Sequence, residues 1–223
     1  MYAIKDKNLT EPPKYLEEIT CIPGAEYSID GIRVICIKEG NAIYFSDSIL
    51  YDLPHTGQSP IFVDKDHDLS YYICGSDYYN EDEDSTNINE GRKYGFEWGS
   101  YQTEVLINNQ DVGMGLYNTN ALIGMDPKPT TSNWTTIWDA VKQFRGTCSP
   151  NWFVPTIEEL RLIYSYKLKL SNISTQSPND KRWYFSSSEK NPNTARGIRM
   201  DTGEDNDAYK MRHGGRVRLC VTL

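Results

Sequence analysis

A chain of 223 residues suits one large domain, with or without an accessory segment, and is long enough to bury a real core. Its net charge of -8 argues against a sequence-independent hold on nucleic acid, because the phosphates would be repelled at long range. The N-terminus lacks the apolar centre of a signal peptide and no run of about 18 apolar residues occurs, so a soluble chain with no membrane span is expected.

Composition adds a bias. Sixteen tyrosines and 5 tryptophans stand against 6 phenylalanines, a choice of aromatics that offer contact area with a polar handle. Negative charge gathers in residues 64–86, whereas Arg196, Arg199, Lys210, Arg212, Arg216 and Arg218 lie near the C-terminus. The five cysteines, Cys21, Cys36, Cys74, Cys148 and Cys220, are scattered without a CxxC pair and read as mostly buried thiols.

In chain order, residues 1–20 are polar, interrupted by Pro12 and Pro13, and read as an arm or linker. The domain is expected over 21–223. Ile32, Val34, Cys36 and Ile37 form a β-branched run, Glu39-Gly40-Asn41 a turn, and Ala42–Phe45 a second strand, which predicts an early hairpin. Residues 52–115 are rich in Gly, Asp, Asn and Tyr and read as long loops with short strands, an insertion at about 52–112.

Three helices are expected next. Residues 116–125 make a short one. Residues 132–146 carry Ile137, Trp138, Val141 and Phe144 at helical spacing with Gly146 as a stop. Within 151–169, Thr156 and Glu159 form a capping box ahead of the stripe Ile157, Leu160, Ile163 and Tyr164. Four short segments, RWYFSSS, ARGIRMDTG, DAYKMRHGG and RVRLCVTL, then predict an antiparallel meander. In the last, Val217, Leu219 and Val221 alternate with Arg216, Arg218 and Cys220. An early hairpin, central helices and a closing meander give an α+β domain.

Chemistry-bearing motifs are sparse. Asp64, Asp66 and Asp68 alternate like the first ligands of a calcium loop, but Leu69 and Gly75 occupy the places that need glycine and glutamate, so a solvated acidic loop is expected and no metal is assigned. Glu81–Asp84 reads as a solvated turn. Ser186, Ser187 and Ser188 would need a histidine base, and only His55, His67 and His213 exist, with no GxSxG or HExxH, so no catalytic residue is assigned. No phosphate-cradling glycine loop is present either, and no cofactor is expected.

The C-terminal half carries four motifs in order. Gly115, Asn118 and Thr119 come first, then Trp152, Phe153, Pro155, Thr156, Glu159 and Leu160, then Tyr184, Ser186, Ser187, Ser188 and Glu189, then Val217 and Arg218. This order resembles bacterial C-type-lectin-like domains of the major-paralogous-domain or Lcl type, related to the variable proteins of diversity-generating retroelements. The resemblance covers roughly residues 113–223, and the early hairpin would extend it to about residue 30. It implies a C-type-lectin-like fold, with two main helices and termini that meet in a sheet, whose final strands present a ligand surface. The matching surface here would be Glu189, Lys190, Asn191, Asn193, Arg196, Arg199, Asp201, Asn206, Asp207, Tyr209, Lys210 and Arg212. Asn191-Pro192-Asn193 departs from the Glu-Pro-Asn of calcium-dependent sugar binders, and no Trp-Asn-Asp follows.

The expected function is therefore non-catalytic recognition of a protein or carbohydrate ligand, as in adhesion or receptor binding on a virion or cell surface, and an oligomer is compatible with it. The alternatives are a structural or assembly subunit, such as a phage tail-tip component, and an enzyme resembling the formylglycine-generating branch of the same fold.

Overall fold

The computed structural model describes residues 16–45, 59–74, 96–99, 107–130, 135–173, 183–211 and 215–223. They form an α+β fold of ten strands, all paired antiparallel, and four α-helices. None of these helices is long and apolar enough to cross a membrane.

A five-stranded sheet lies at the centre, in the order β2 (Glu26–Ile29), β3 (Ile32–Lys38), β5 (Ile61–Asp64), β10 (Cys220–Thr222), β6 (Trp152–Phe153). Side chains alternate across its two faces with period two, and both faces are buried. Val34, Cys36, Phe62, Trp152 and Val221 enter one apolar cluster, and Ile35, Ile37, Ile61, Val63, Phe153 and Cys220 enter the other. That double burial is why β3 reads as an unbroken β-branched run and not as an alternation. Helix α3 (Ile137–Arg145) contributes Ile137, Trp138, Val141 and Phe144 to the first cluster. Helix α4 (Ile157–Ser165) contributes Ile157, Leu160 and Ile163 to the second. Cys21, Cys36 and Cys220 are buried thiols outside any disulfide, and burial pushes Cys36 up to about 12.

Both helix starts follow the chemistry read in the sequence. Thr136 accepts from the backbone N–H of Asp139, and Gly146 closes α3. At α4 the Thr156 hydroxyl accepts from Glu159 N while the Glu159 carboxylate accepts from Thr156 N at 2.7 Å, a complete capping box. Glu159 also accepts from Gly113 N at 2.8 Å, which ties α4 to the start of α2 (Gly115–Met125). Burial raises the Glu159 carboxyl above its ordinary value, and the bonds from Thr156, Gly113 and Gly115 oppose that.

Four expectations are corrected. The early hairpin is not β3 with a strand after Glu39. β3 pairs with β2 around Asp30-Gly31, both in the left-handed region at φ 52° and 77°, and β4 (Gly40–Phe45) pairs with β1 (Leu16–Cys21), the end of the expected arm. Asp-Gly is a two-residue turn whose positive φ values match strand twist, so it closes the hairpin. The segment expected as long loops with short strands does hold one short strand, β5, but buried at the centre of the sheet between β3 and β10, and it also holds a helix that was not expected, α1 (Leu69–Cys74). Asp64 and Asp68 of the expected solvated loop are buried, and Asp66 is half-buried. Asp64 is 1% exposed and accepts from Asp66 N, His67 N and the Tyr72 hydroxyl, and Asp68 pairs with Arg216 at 3.4 Å. The meander has three strands, β7 (Trp183–Asn191), β8 (Thr194–Arg199) and β9 (Asp205–Tyr209), because the last segment leaves them to enter the central sheet as β10. Glu81–Asp84 and His213 lie outside the described residues.

Two glycines of α2 give substitutions of opposite sign. A Cβ at Gly115 would stand 2.3 Å from Glu159 Oε2 and 2.5 Å from the Phe153 ring, whereas one at Gly124 would meet nothing within 4 Å. Gly115→Ala is expected to lower stability by about 1–3 kcal/mol and Gly124→Ala to raise it by about 0.5–1 kcal/mol, both read from urea unfolding midpoints.

Candidate functional site

β7 is the strand from which the site is built. Its register against β8 shifts between Phe185 and Glu189, so Ser186, Ser187 and Ser188 leave the ladder and bond elsewhere. All three are buried. Ser186 Oγ donates to Arg196 O at 2.8 Å, and Ser188 Oγ donates to Asn109 O at 2.7 Å while accepting from Ile157 N at the start of α4. Asn118 Nδ2 donates to Ser187 O and Oγ, and Ser187 N donates to Pro155 O. Small hydroxyls are used here because a larger side chain would not fit among these backbones and an apolar one would leave their polar groups unmatched.

Directly after the serines comes a buried ion pair. Glu189 and Lys210 are each 0% exposed, with Lys210 Nζ 2.5 Å from Glu189 Oε1. The second carboxylate oxygen accepts from Ile107 N at 2.6 Å, and the ammonium lies 4.8 Å from the centroid of the Trp98 ring. Trp98 in turn donates from its indole to Ser186 O at 3.0 Å and receives at its carbonyl the Trp138 indole N–H at 2.7 Å. Glu189 and Lys210 were expected on the ligand surface, and this is a correction: they are a linchpin beneath it. Each charge satisfies the other, the only arrangement in which full burial of both is tolerable.

Over that base, β8 and β9 pair in register, Thr194 opposite Tyr209 and Arg196 opposite Asp207. Residues directly opposite share a face. On the other face Ala195 and Ala208 enter the first core cluster. Thr194, Arg196, Asp207 and Tyr209 share the opposite face, where Asp207 and Tyr209 are exposed, Thr194 and Arg196 are half-buried and Ile198, further along β8, is buried in the second core cluster; Lys190 joins Asp207 through an ion pair at 3.0 Å. Tyr209 is 62% exposed. Gly197 permits the close strand approach, since a Cβ there would stand 2.7 Å from Tyr184 O.

The remaining expected residues fall in other places. Asn191 uses its side-chain oxygen to accept from Asn193 N at 2.8 Å and Thr194 N at 2.9 Å, so it shapes the turn into β8 and leaves Asn193 exposed. Arg199 and Asp201 sit at the far end of β8, where Arg199 Nε donates to Asp201 Oδ1 at 3.0 Å and the guanidinium carbon lies 5.8 Å from the Trp183 ring centroid. Asn206 is exposed, opposite Gly197 and therefore on the other side of the ladder from Arg196. Arg212 lies outside the described residues. Thr194, absent from the expected surface, belongs to it, and its two-residue spacing from Arg196 on a strand was the available signal.

Among the described residues no group of three or more His, Cys, Asp or Glu side chains is placed to hold a metal ion. What the arrangement offers chemically is a rigid polar face with hydrogen-bond donors, acceptors and one exposed aromatic ring. No protein-family model matches the chain, and no curated protein matches it in sequence.

Two measurements test this account. Glu189→Gln or Lys210→Met alone leaves one buried group without its partner and is expected to cost about 3–5 kcal/mol, with the double change to Met recovering much of it in urea unfolding. Arg199 holds the Asp201 carboxyl below its ordinary 3.8, chiefly by hydrogen bonding. A depressed carboxyl adds stability above its unfolded value and loses it as pH falls through the folded one. In Arg199→Gln the Asp201 carboxyl carbon should titrate closer to 3.8 by NMR.

Proposed function

We propose that this chain is a non-catalytic recognition module of C-type-lectin-like fold that binds a ligand on the outward face of β8 and β9. The observation that carries the reading is the division of labour in the meander, with Ala195, Ala208 and Ile198 anchored in the core and Lys190, Asp207 and Tyr209 exposed at the surface beside the half-buried Thr194 and Arg196. A fixed scaffold under exposed polar and aromatic side chains is the physical requirement of a binding surface.

The fold assignment draws support from the way the four motifs meet. Asn118 bonds Ser187, the Thr119 hydroxyl accepts from Val154 N, Glu159 accepts from Gly113 N, and Ser188 receives the first N–H of α4. β2 and β3 near one end of the chain and β10 at the other lie in one sheet, as that fold requires. The serine hydroxyls are consumed in holding backbone, which favours recognition over nucleophilic chemistry at that run.

The test is a binding screen of the whole chain against arrayed cell-surface proteins and glycans, repeated with Lys190→Ala, Asp207→Ala and Tyr209→Ala combined. Loss of binding at an unchanged melting temperature is the expected result. Retained binding would place the ligand elsewhere, and loss of folding or of self-association would make the same face a structural interface.

A further inference from the structure

The meander ends in an open strand. Lys210 N donates to Asn193 O at 3.0 Å and Arg199 N to Glu204 O at 3.0 Å, one bond at each end of the β8–β9 ladder. Bonding in an antiparallel pair alternates by two residues, so Asn206 and Ala208 turn their backbone N–H and C=O toward β8, while Asp205, Asp207 and Tyr209 turn theirs away from it. β9 is the last strand in the order β7-β8-β9, and among the described residues no backbone group bonds to that outer edge. The Asn206 side chain takes Asp207 N at 2.8 Å, which leaves the N–H groups of Asp205 and Tyr209 and the carbonyls of Asp205, Asp207 and Tyr209. Asp205, Asn206, Asp207 and Tyr209 are all exposed, so the edge can be reached from solvent, and Ala208 in the core holds the strand in place beneath it.

Charge selects what can pair there. Asp201, Glu204, Asp205 and Asp207 lie on or just before β9 against three cationic partners, Arg199, Arg161 and Lys190, so one carboxylate is in excess. The whole chain is acidic as well, at -8. A second copy would bring its own acidic edge against this one, and like charges on facing strands are destabilising. Resting on the recognition role proposed above, we infer that the outer edge of β9 receives an extended, basic segment of a protein partner as a fourth strand of the meander. Main-chain bonds to Asp205, Asp207 and Tyr209 fix its register. Basic side chains at every second position of the guest then share a face with Asp205 and Asp207, and Tyr209, 62% exposed on that same face, covers the stem of a lysine or arginine.

The probe is the capped hexapeptide (Lys-Val)3 titrated into the ¹⁵N-labelled full chain, beside (Glu-Val)3 and a (Lys-Val)3 with all its amides N-methylated. (Lys-Val)3 should shift the Asp205, Asp207 and Tyr209 amide signals saturably, slow hydrogen exchange at Asp205 and Tyr209, and bind about tenfold or more tighter than either control. Asp205→Pro removes one outward N–H without touching the bonds to β8, and it should weaken that binding well beyond the effect of Asp205→Ala. No response at β9, or equal binding by the N-methylated or the acidic peptide, would overturn the inference. A dimer that protects the same amides in the absence of peptide would make a second copy the occupant and overturn the partner assignment. A screen ligand lost with the combined Lys190, Asp207 and Tyr209 changes but retained by Asp205→Pro would sink the strand edge and leave the recognition face standing, whereas a screen without ligands beside protected β9 amides would do the reverse.

Discussion

Everything that makes the outward face of β8 and β9 rigid passes through the buried contact between Glu189 and Lys210. One partner ends the buried part of β7 and the other follows β9, so their ion pair pins the two outer strands of the meander across the middle one. Their remaining valences reach further. Glu189 holds Ile107, Lys210 sits against Trp98 and its carbonyl accepts from Trp98 N and Gly99 N, and Trp98 links to Trp138 of α3. A salt bridge at full burial has a large desolvation cost, and an apolar pair of similar volume recovers much of its stability. What it adds is directionality, because an ammonium and a carboxylate must meet in one register whereas two leucines can slide.

The same logic explains why so many polar residues lie inside this protein. Arg216 and Arg218 are buried beside Asp68 and Asp64, and Arg218 donates to Ser171 O as well. Burial lowers Arg216 to about 10. Asn118, Thr119, Glu159 and the three serines join strand ends to helix starts without regular pairing. The fold is held between its elements by directional bonds where short strands bury little apolar surface.

Legibility in the sequence tracked the range of the interaction. The α4 capping box is complete within four residues, Thr156 to Glu159, and the serine run was legible as the continuation of a strand opened by Trp183, Tyr184 and Phe185. The placement of elements that depend on distant partners was not readable. β5 is four residues long and becomes a central strand only because β3 and β10 flank it. Asp30-Gly31 carried a local turn signal, overshadowed by the longer Glu39-Gly40-Asn41 stretch. Lys210 and Glu189 read as surface charges because their burial depends on each other, 21 positions apart. On the candidate surface, Asn193, Asp207 and Tyr209 were legible as polar side chains near turns, whereas the facing of Arg196 and Thr194 needed the strand register.

The position of β10 has a bearing on how the protein is made. Cys220–Thr222 lie between β5 and β6, so the central sheet cannot close while the chain is still on the ribosome and these residues are in the exit tunnel. Until they emerge, β5 and β6 lack the strand that joins them, and the pairing to β5 spans 157 positions of chain, from Val63 to Cys220. Contacts of that separation form late because loop closure precedes any gain from them. During synthesis the β10-facing edge of the Ile-Phe-Val run of β5 stays unpaired, an edge open to pairing with other strands until β10 arrives.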